Sequence, residues 1–185
     1  MVDPGDEIDR ILADIRKHDL KIERILLTHG HIDHVAYAQD LKDALQVPMS
    51  IHRDDLPLLE QVQGQAMMFG LPPGPKPFAD GRLQEGDEFF AGRHRFRVLH
   101  TPGHSPGHVI LAGDKVAFVG DTLFAGSIGR TDLPGGNYEV LMRSIREKIL
   151  PLGDQLTIYP GHGPESTIGE ERRSNPFLQK SFHPG

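Results

Sequence analysis

The spacing of apolar residues predicts an alternation of helices and short strands in the first half of the chain. Isoleucine and leucine recur at helical intervals over residues 6–19, as expected of an amphipathic helix. The same reasoning predicts two further helices and two buried strands: helices over residues 35–46 and 56–69, strands over residues 23–28 and 47–52. The apolar run at residues 67–69 is expected to fill the core, because methionine adapts to irregular gaps. Residues 71–80 are rich in proline and are expected to form a loop.

The second half of the chain changes to the period-two alternation of strands. Two hairpins are predicted, one from residues 88–91 and 94–99, the other from residues 108–112 and 116–119. The remaining elements are a helix over residues 137–150 with Asn137 as its N-cap, a strand over residues 155–159 and a short helix over residues 167–174. This order predicts mixed sheets flanked by helices in a single domain over residues 1–185.

Composition narrows the functional classes. The chain carries a formal net charge of −6 and no block of basic residues, so nucleic acid is not an expected partner. No apolar run approaches the roughly 18 residues that span a bilayer, and no signal peptide is evident, so no membrane association is expected. Cysteine is absent, which excludes disulfides and thiolate nucleophiles and permits a reducing cytoplasm, where we expect the protein. Histidine, with 11 copies, is the unusual residue.

Metal-ligating side chains follow the ends of four predicted strands. The first such segment, residues 28–34, reads THGHIDH and holds three histidines and an aspartate. His104, Asp121 and His162 follow later predicted strands, and each lies beside a glycine. Loops at strand ends are where sites on rigid sheets are built, and glycine lets the backbone come close to a ligand. The pattern predicts a metal site assembled from separate parts of the chain.

The number of candidate ligands favours two metal ions. In an extended segment residues i and i+2 point the same way, so His29 and His31 can bind one ion. Asp33 and His34 come where a predicted helix begins and can turn toward a second point. The full set exceeds the four ligands that zinc usually takes and suits two ions about 3.5–4 Å apart. Its members are His29, His31, Asp33, His34, His104, Asp121 and His162.

Four motifs, in this order, resemble those of the metallo-β-lactamase superfamily. They read THGHIDH, TPGHSPGH, GDTLF and GHGP. Residues 165–170 and the triplet Asn175-Pro176-Phe177 are further similar to the short glyoxalase II-like hydrolases of the hydroxyacylglutathione hydrolase type. The resemblance extends over nearly the whole chain and implies an α/β (α+β) fold, the αββα sandwich of this superfamily.

The resemblance also assigns roles to the ligands. It implies one metal ion on His29, His31 and His104, the other on Asp33, His34 and His162, and Asp121 as the bridge. Zinc is the expected ion, and iron or manganese would suit the same nitrogen and oxygen ligands. Two divalent ions make hydroxide available between them at neutral pH, and this hydroxide can attack a polarised carbonyl carbon. Asp33 would also orient the hydroxide, so Asp33 and Asp121 are the expected catalytic residues. The implied activity is hydrolysis of a small hydroxyacyl thioester such as S-lactoylglutathione.

Three residues near the ligands have two interpretations each. In glutathione-thioester hydrolases a basic residue at a similar place contacts the glycine carboxylate, and Arg130 is the candidate here because a guanidinium fits a carboxylate. The alternative for Arg130 is an ion pair with Asp132. His100 and His108 either support the metal ligands or serve only the fold.

The start of the chain differs from the family pattern. Family members usually have a strand hairpin before the segment that matches residues 2–5, and this chain begins at that segment. Without those strands a sheet edge would be unpaired and apolar surface uncovered. We therefore expect the chain to form a homo-oligomer through an exposed sheet edge.

Other functions are compatible with the same residues. Sulfur dioxygenases of this superfamily, which use one iron, resemble the chain around Asp121 and residues 129–132. They usually lack a histidine at the position of His108 and the GHGP form of the last motif. Lactonase or β-lactamase activity is a third alternative, and a non-catalytic metal-binding module is a fourth.

Overall fold

The structure, a computed structural model, describes residues 1–71 and 74–179. The chain divides into two compact units, Met1–Leu83 and a second unit from Gln84 onward. Each unit has its own hydrophobic core and its own main sheet. A single domain over residues 1–185 stays a prediction.

The first unit has a parallel three-stranded sheet and five helices. The sheet has the order β1-β2-β3, and Ile25 pairs with Met49 while Ser50 pairs with Gly81. The elements are α1 (Ile8–Lys17), β1 (Ile25–Leu26), α2 (Ile32–Val35), α3 (Ala38–Leu45), β2 (Met49–His52), α4 (Leu56–Glu60), α5 (Val62–Met68) and β3 (Gly81–Leu83). Val2 forms a parallel bridge with Leu26, so the first residues lie alongside β1. Self-association through an exposed sheet edge stays a prediction.

The N-terminal segment interrupts a helix that the sequence predicts as continuous over residues 35–46. Helix α2 begins earlier, at Ile32, and α3 starts again only at Ala38. The backbone of Gly5 accepts a hydrogen bond from Tyr37 N at 3.1 Å and donates one to the carbonyl of His34 at 2.9 Å. In a continuous helix, Tyr37 N and the His34 carbonyl would bond to other residues of that helix, whereas here both bond to Gly5. As a result Asp33 and His34 lie within a short helix of their own.

The methionine-rich end of α5 is exposed, so the expectation of a core position for residues 67–69 is wrong. The exposed fractions are 67% for Met67, 78% for Met68 and 53% for Phe69. Helix α5 instead buries Val62 and Ala66, which lie one turn apart on its other face. Gln61 also separates α4 from α5, where the sequence predicts one helix over residues 56–69.

The second unit has a six-stranded sheet of order β11-β10-β7-β6-β5-β4. Strand β10 runs parallel to β7, and the other neighbouring strands are antiparallel. The strands are β4 (Glu88–Ala91), β5 (His94–His100), β6 (Val109–Gly113), β7 (Val116–Gly120), β8 (Leu123–Phe124), β9 (Ser127–Ile128), β10 (Thr157–Pro160) and β11 (Ser166–Thr167). Strands β8 and β9 form a separate small hairpin. Both hairpins predicted from the sequence, β4–β5 and β6–β7, are confirmed.

Two helices complete the second unit. They are α6 (Tyr138–Ser144), which continues as a π-helical turn at Ile145–Ile149, and α7 (Ile168–Ser174). The predicted cap of α6 is confirmed, because Asn137 Oδ1 accepts from Val140 N at 3.1 Å. The core packs the apolar face of α6 against β6, β7 and β10, with Leu141, Ile145 and Ile158 fully buried. Among the described residues, no helix combines the length and apolar character needed to cross a membrane.

Candidate metal centre

The first unit presents three imidazoles and a carboxylate in the turn that follows β1. His29 and His31 flank Gly30 in extended backbone, and their ring centroids are 4.8 Å apart. The ring of His34 lies 4.1 Å from that of His29. All three histidines are buried, whereas Asp33 is exposed with its Oδ2 3.9 Å from His34 Nε2. The turn thus brings together the four ligands that the sequence predicts for this segment.

Asp3 orients two of these histidines, a role that the sequence analysis missed. Its Oδ2 accepts from His34 Nδ1 at 3.0 Å, which leaves the Nε2 lone pair of that imidazole for a metal. The same carboxylate accepts from Thr28 N at 2.7 Å and from Thr28 Oγ1 at 2.6 Å. Thr28 Oγ1 in turn lies 3.0 Å from His29 Nδ1. In the sequence, Asp3 precedes Pro4-Gly5 and indicates only a turn.

The backbone of the turn is held from the opposite side by α5 and the segment before α4. Gly30 N donates to Asp55 Oδ2 at 3.0 Å, and Ile32 N donates to Gln65 Oε1 at 3.1 Å. Gln65 Nε2 also donates to the Gly30 carbonyl at 3.1 Å. A Cβ at Gly30 would lie 2.9 Å from Leu58 Cβ, so this close approach requires glycine. No sequence signal marks Asp55 or Gln65, because each is a single polar residue in an ordinary segment.

The second unit gathers three ligands at one edge of its six-stranded sheet. Because β5, β7 and β10 run in the same direction, their carboxyl ends meet at that edge. His104, Asp121 and His162 follow these three strand ends. Asp121 Oδ2 lies 3.6 Å from His104 Nε2 and 3.5 Å from His162 Nε2. These three side chains therefore lie close together, as the strand-end pattern in the sequence predicts, while their binding of metal stays a prediction.

Hydrogen bonds fix how these ligands present their metal-binding atoms. His104 Nδ1 donates to the Arg130 carbonyl at 2.8 Å, which directs its Nε2 toward Asp121. His108 is fully buried, and its Nε2 accepts from Asp121 N at 3.0 Å while its Nδ1 lies 3.0 Å from Thr101 Oγ1. Of the two interpretations of His108, the structure shows support of a ligand. His100 Nε2 contacts the Pro106 carbonyl at 3.0 Å, a bond internal to its own loop.

Arg130 is paired with Asp132, as the alternative from the sequence anticipates. Arg130 Nε donates to Asp132 Oδ1 at 2.8 Å and its NH2 group donates to Oδ2 at 2.7 Å. This two-point hydrogen bond lowers the pKa of Asp132 to about 2. Both side chains are exposed, and contact of Arg130 with a substrate stays a prediction.

The donor atoms fit divalent metal ions. Ligands about 2.0–2.2 Å from a tetrahedral ion lie roughly 3.3–3.6 Å from one another, and the two separations at Asp121 Oδ2 match that spacing. In the first unit, ligand atoms of His29 and His34 lie within 4.8 Å of each other and of Asp3. Nitrogen and oxygen donors without sulfur suit zinc, iron and manganese alike. Each unit therefore brings together histidine and aspartate atoms of the kind that bind these ions.

The fold and these clusters define the class of the protein. The family model of the metallo-β-lactamase superfamily matches residues 1–162, which takes in all seven predicted ligands, the first unit and most of the second. The chain belongs to this superfamily, and the α/β fold class predicted from the sequence is confirmed.

A curated relative supports the narrower resemblance, that to the hydroxyacylglutathione hydrolases. Hydroxyacylglutathione hydrolase GloC of Haemophilus influenzae is 47% identical over 183 residues, which cover 96% of this chain and 86% of that protein. The similarity to hydroxyacylglutathione hydrolases that the sequence motifs indicate is thereby confirmed.

Three solved structures are similar over nearly the whole chain. TTHA1623 in a di-iron-bound form has a TM-score of 0.88 at 44% identity and covers 96% of this chain and 88% of its own. BLEG-1 B3 metallo-β-lactamase has a TM-score of 0.88 at 38% identity, with 96% and 87% covered. ETHE1 from Myxococcus xanthus has a TM-score of 0.78 at 28% identity, with 95% and 71% covered.

Proposed function

We propose that the protein is a metal-dependent hydrolase that cleaves a small hydroxyacyl thioester, with S-lactoylglutathione as the model substrate. The observation that carries the proposal is Asp121, whose Oδ2 lies 3.6 and 3.5 Å from the imidazole nitrogens of His104 and His162. A carboxylate in that position suits a ligand shared by two ions. Membership of a superfamily of metallo-hydrolases and the similarity to GloC support the same activity.

The seven ligands are proposed to act together on two divalent ions. The assignment follows the family pattern, in which one ion is held by His29, His31 and His104, the other by Asp33, His34 and His162, and Asp121 serves both. Zinc is the proposed ion, while the di-iron form of TTHA1623 makes iron the first alternative. A cytoplasmic location stays a prediction.

In the proposed reaction the protein's own residues orient the water molecule, while the metal ions lower its pKa. Bound divalent ions lower the pKa of a water molecule and polarise a carbonyl group. Asp33 is the exposed carboxylate among the ligands, so it can accept a proton from a reacting water and orient that water toward a carbonyl carbon. A thiolate leaves with little need of protonation, so no acidic side chain has to be assigned to the leaving group. The chain has no cysteine, which removes an acyl-cysteine route.

Hydrolysis of S-lactoylglutathione by protein loaded with zinc, iron or manganese tests the proposal. We expect release of free thiol that is abolished by a chelator and by His31→Ala. His94→Ala is the matched control, because His94 is an exposed histidine at the turn of the β4–β5 hairpin and should leave turnover unchanged. Absence of turnover at full metal loading would contradict the proposal.

Two structural similarities support alternative reactions. The similarity to ETHE1, together with the sulfur dioxygenase alternative from the sequence, makes oxygen uptake with a glutathione persulfide the second assay. BLEG-1 makes hydrolysis of a β-lactam the third. Oxygen uptake without thioester hydrolysis, or β-lactam hydrolysis faster than thioester hydrolysis, would replace the proposed activity.

A further inference from the structure

The β8–β9 hairpin and the two residues that follow it, Gly129 and Arg130, contact the three metal-ligand candidates of the second unit. The Phe124 ring meets the His162 ring edge to face, with centroids 6.2 Å apart. Gly129 packs so closely on Asp121 that a Cβ there would overlap the Asp121 carbonyl oxygen. The next carbonyl, of Arg130, accepts the Nδ1 hydrogen bond of His104. A shift of this hairpin would therefore disturb the contacts of all three candidates.

Two buried polar residues hold the hairpin in place. Glu171 on α7 and Asn175 just after it have exposed fractions of 1% and 0%. Glu171 Oε2 accepts from Gly126 N at 2.8 Å, at the tip of the hairpin. Asn175 Nδ2 donates to the Ser127 carbonyl at 2.9 Å and to Glu171 Oε2 at 2.8 Å. We call Glu171, Asn175 and their hydrogen bonds to the hairpin the clamp.

Burial of these polar side chains is energetically unfavourable by itself. Neither side chain takes part directly in the proposed reaction. Burying a carboxylate is unfavourable unless hydrogen bonds compensate, and Glu171 has three of them, the third from Ser166 Oγ. Neither residue belongs to the predicted ligand set. Both point instead at the backbone of the hairpin that contacts the ligands.

We propose that Glu171 and Asn175 are positioning residues for the metal centre, acting through the β8–β9 hairpin on His104, Asp121 and His162. This inference rests on the proposed metal-dependent function. It assigns a positioning role to the middle of α7 and to the residue just after it, since neither side chain belongs to the predicted ligand set.

Asn175→Asp is the sharpest variant, because it keeps the shape of the side chain and replaces the donor amide by an oxygen. That oxygen would face Glu171 Oε2 and the Ser127 carbonyl, two acceptors that it cannot satisfy. We expect zinc affinity, measured by competition with a chromophoric chelator, to fall about tenfold or more, as for residues that orient ligands. Faster hydrogen exchange of the Gly126 amide in metal-free protein is the second readout.

Glu171→Gln is the conservative rescue. Its amide oxygen can still accept from Gly126 N and Asn175 Nδ2, and its amide nitrogen can donate to Ser166 Oγ. We expect zinc affinity close to that of the wild type. Glu170→Gln is the matched control on the same helix, since Glu170 is exposed and its carboxylate accepts from the exposed Arg173.

A variant that lowers the stability of the second unit at another position distinguishes a positioning role of the clamp from a purely structural role. Ile149→Val removes a buried methylene from the core of the second unit, at a residue outside the hairpin and the clamp, and should lower the melting temperature without changing zinc affinity. If Asn175→Asp does the same, the inference is overturned while the proposed function stands. If wild-type protein binds no zinc, iron or manganese, the proposed function fails and the inference with it.

If Asn175→Asp does not fold, a second variant tests the inference. Phe124→Leu removes the ring contact with His162 at a half-buried position, so the fold should tolerate it. We expect weaker binding of one of the two zinc ions. Unchanged binding of both ions would contradict the inference.

Discussion

Asp3→Asn tests how the metal centre depends on a residue outside the predicted ligand set. Asp3 Oδ2 lies 3.0 Å from His34 Nδ1, and the carboxylate also accepts both donors of Thr28. An asparagine has one acceptor oxygen and one donor nitrogen. If its nitrogen faces His34, the imidazole must carry its proton on Nε2, the atom that would bind metal. If its nitrogen faces Thr28 instead, the backbone N–H of Thr28 loses its acceptor.

Either arrangement removes a hydrogen bond to the charged, nearly buried carboxylate: the first reverses the bond to His34 Nδ1, and the second breaks the bond from Thr28 N. Such bonds contribute about 1.5–3 kcal/mol, which corresponds to roughly 10- to 100-fold in affinity. This range agrees with the effect of removing the partner of a metal-binding histidine, about 10- to 100-fold. We therefore expect Asp3→Asn to weaken binding of one zinc ion by that factor and to leave the other ion less affected.

Competition with a chromophoric chelator, followed on metal-free protein titrated with zinc, measures this effect. Asp9→Asn is the matched control, since Asp9 is an exposed aspartate in the first turn of α1. Wild-type affinity for both ions in Asp3→Asn would refute the reasoning that Asp3 orients His34.

Four further predictions concern the residue after the hairpin, the exposed ion pair and the assembly state. Gly129→Ala should destabilise the protein by about 1–3 kcal/mol, because the new Cβ meets backbone at Asp121, and thermal unfolding should show the loss. Asp132→Asn should lower the KM for S-lactoylglutathione if Arg130 binds the glycine carboxylate, because it frees the guanidinium; an unchanged KM would argue against that role. The Asp132 pKa of about 2 lies below its ordinary value, so the pair's contribution to stability is present above about pH 4 and disappears toward pH 2, which NMR titration of the carboxyl can follow. Sedimentation should show a concentration-dependent oligomer, and a monomer at all concentrations would contradict the expected edge pairing.

The elements predicted best from the sequence are those determined by local chemistry. The hairpin turn at Gly92, the cap at Asn137 and the helix α1 each follow from a few adjacent residues. The ligands of the second unit were also predictable, because strand ends can be located from the pattern and parallel strands end at the same edge. In the first unit the spacing of His29 and His31 was enough to predict that they lie close together.

The features that the sequence could not reveal depend on residues distant along the chain. Gly5 separates α2 from α3 through hydrogen bonds to residues about 30 positions later. Asp3 approaches His34 across a similar separation, and nothing in a turn sequence indicates that contact. The exposure of Met67 and Met68 could not be predicted from composition, because it depends on which face of α5 the rest of the unit covers.

The most direct test of the account is the metal content of the purified protein, determined by elemental analysis after equilibration with zinc, beside its thioester hydrolase activity. We predict two zinc ions per chain in the wild type, and loss of at least one ion together with turnover in Asp121→Ala. A wild-type chain that retains no ion, or an Asp121→Ala variant with the metal content and turnover of the wild type, would contradict it.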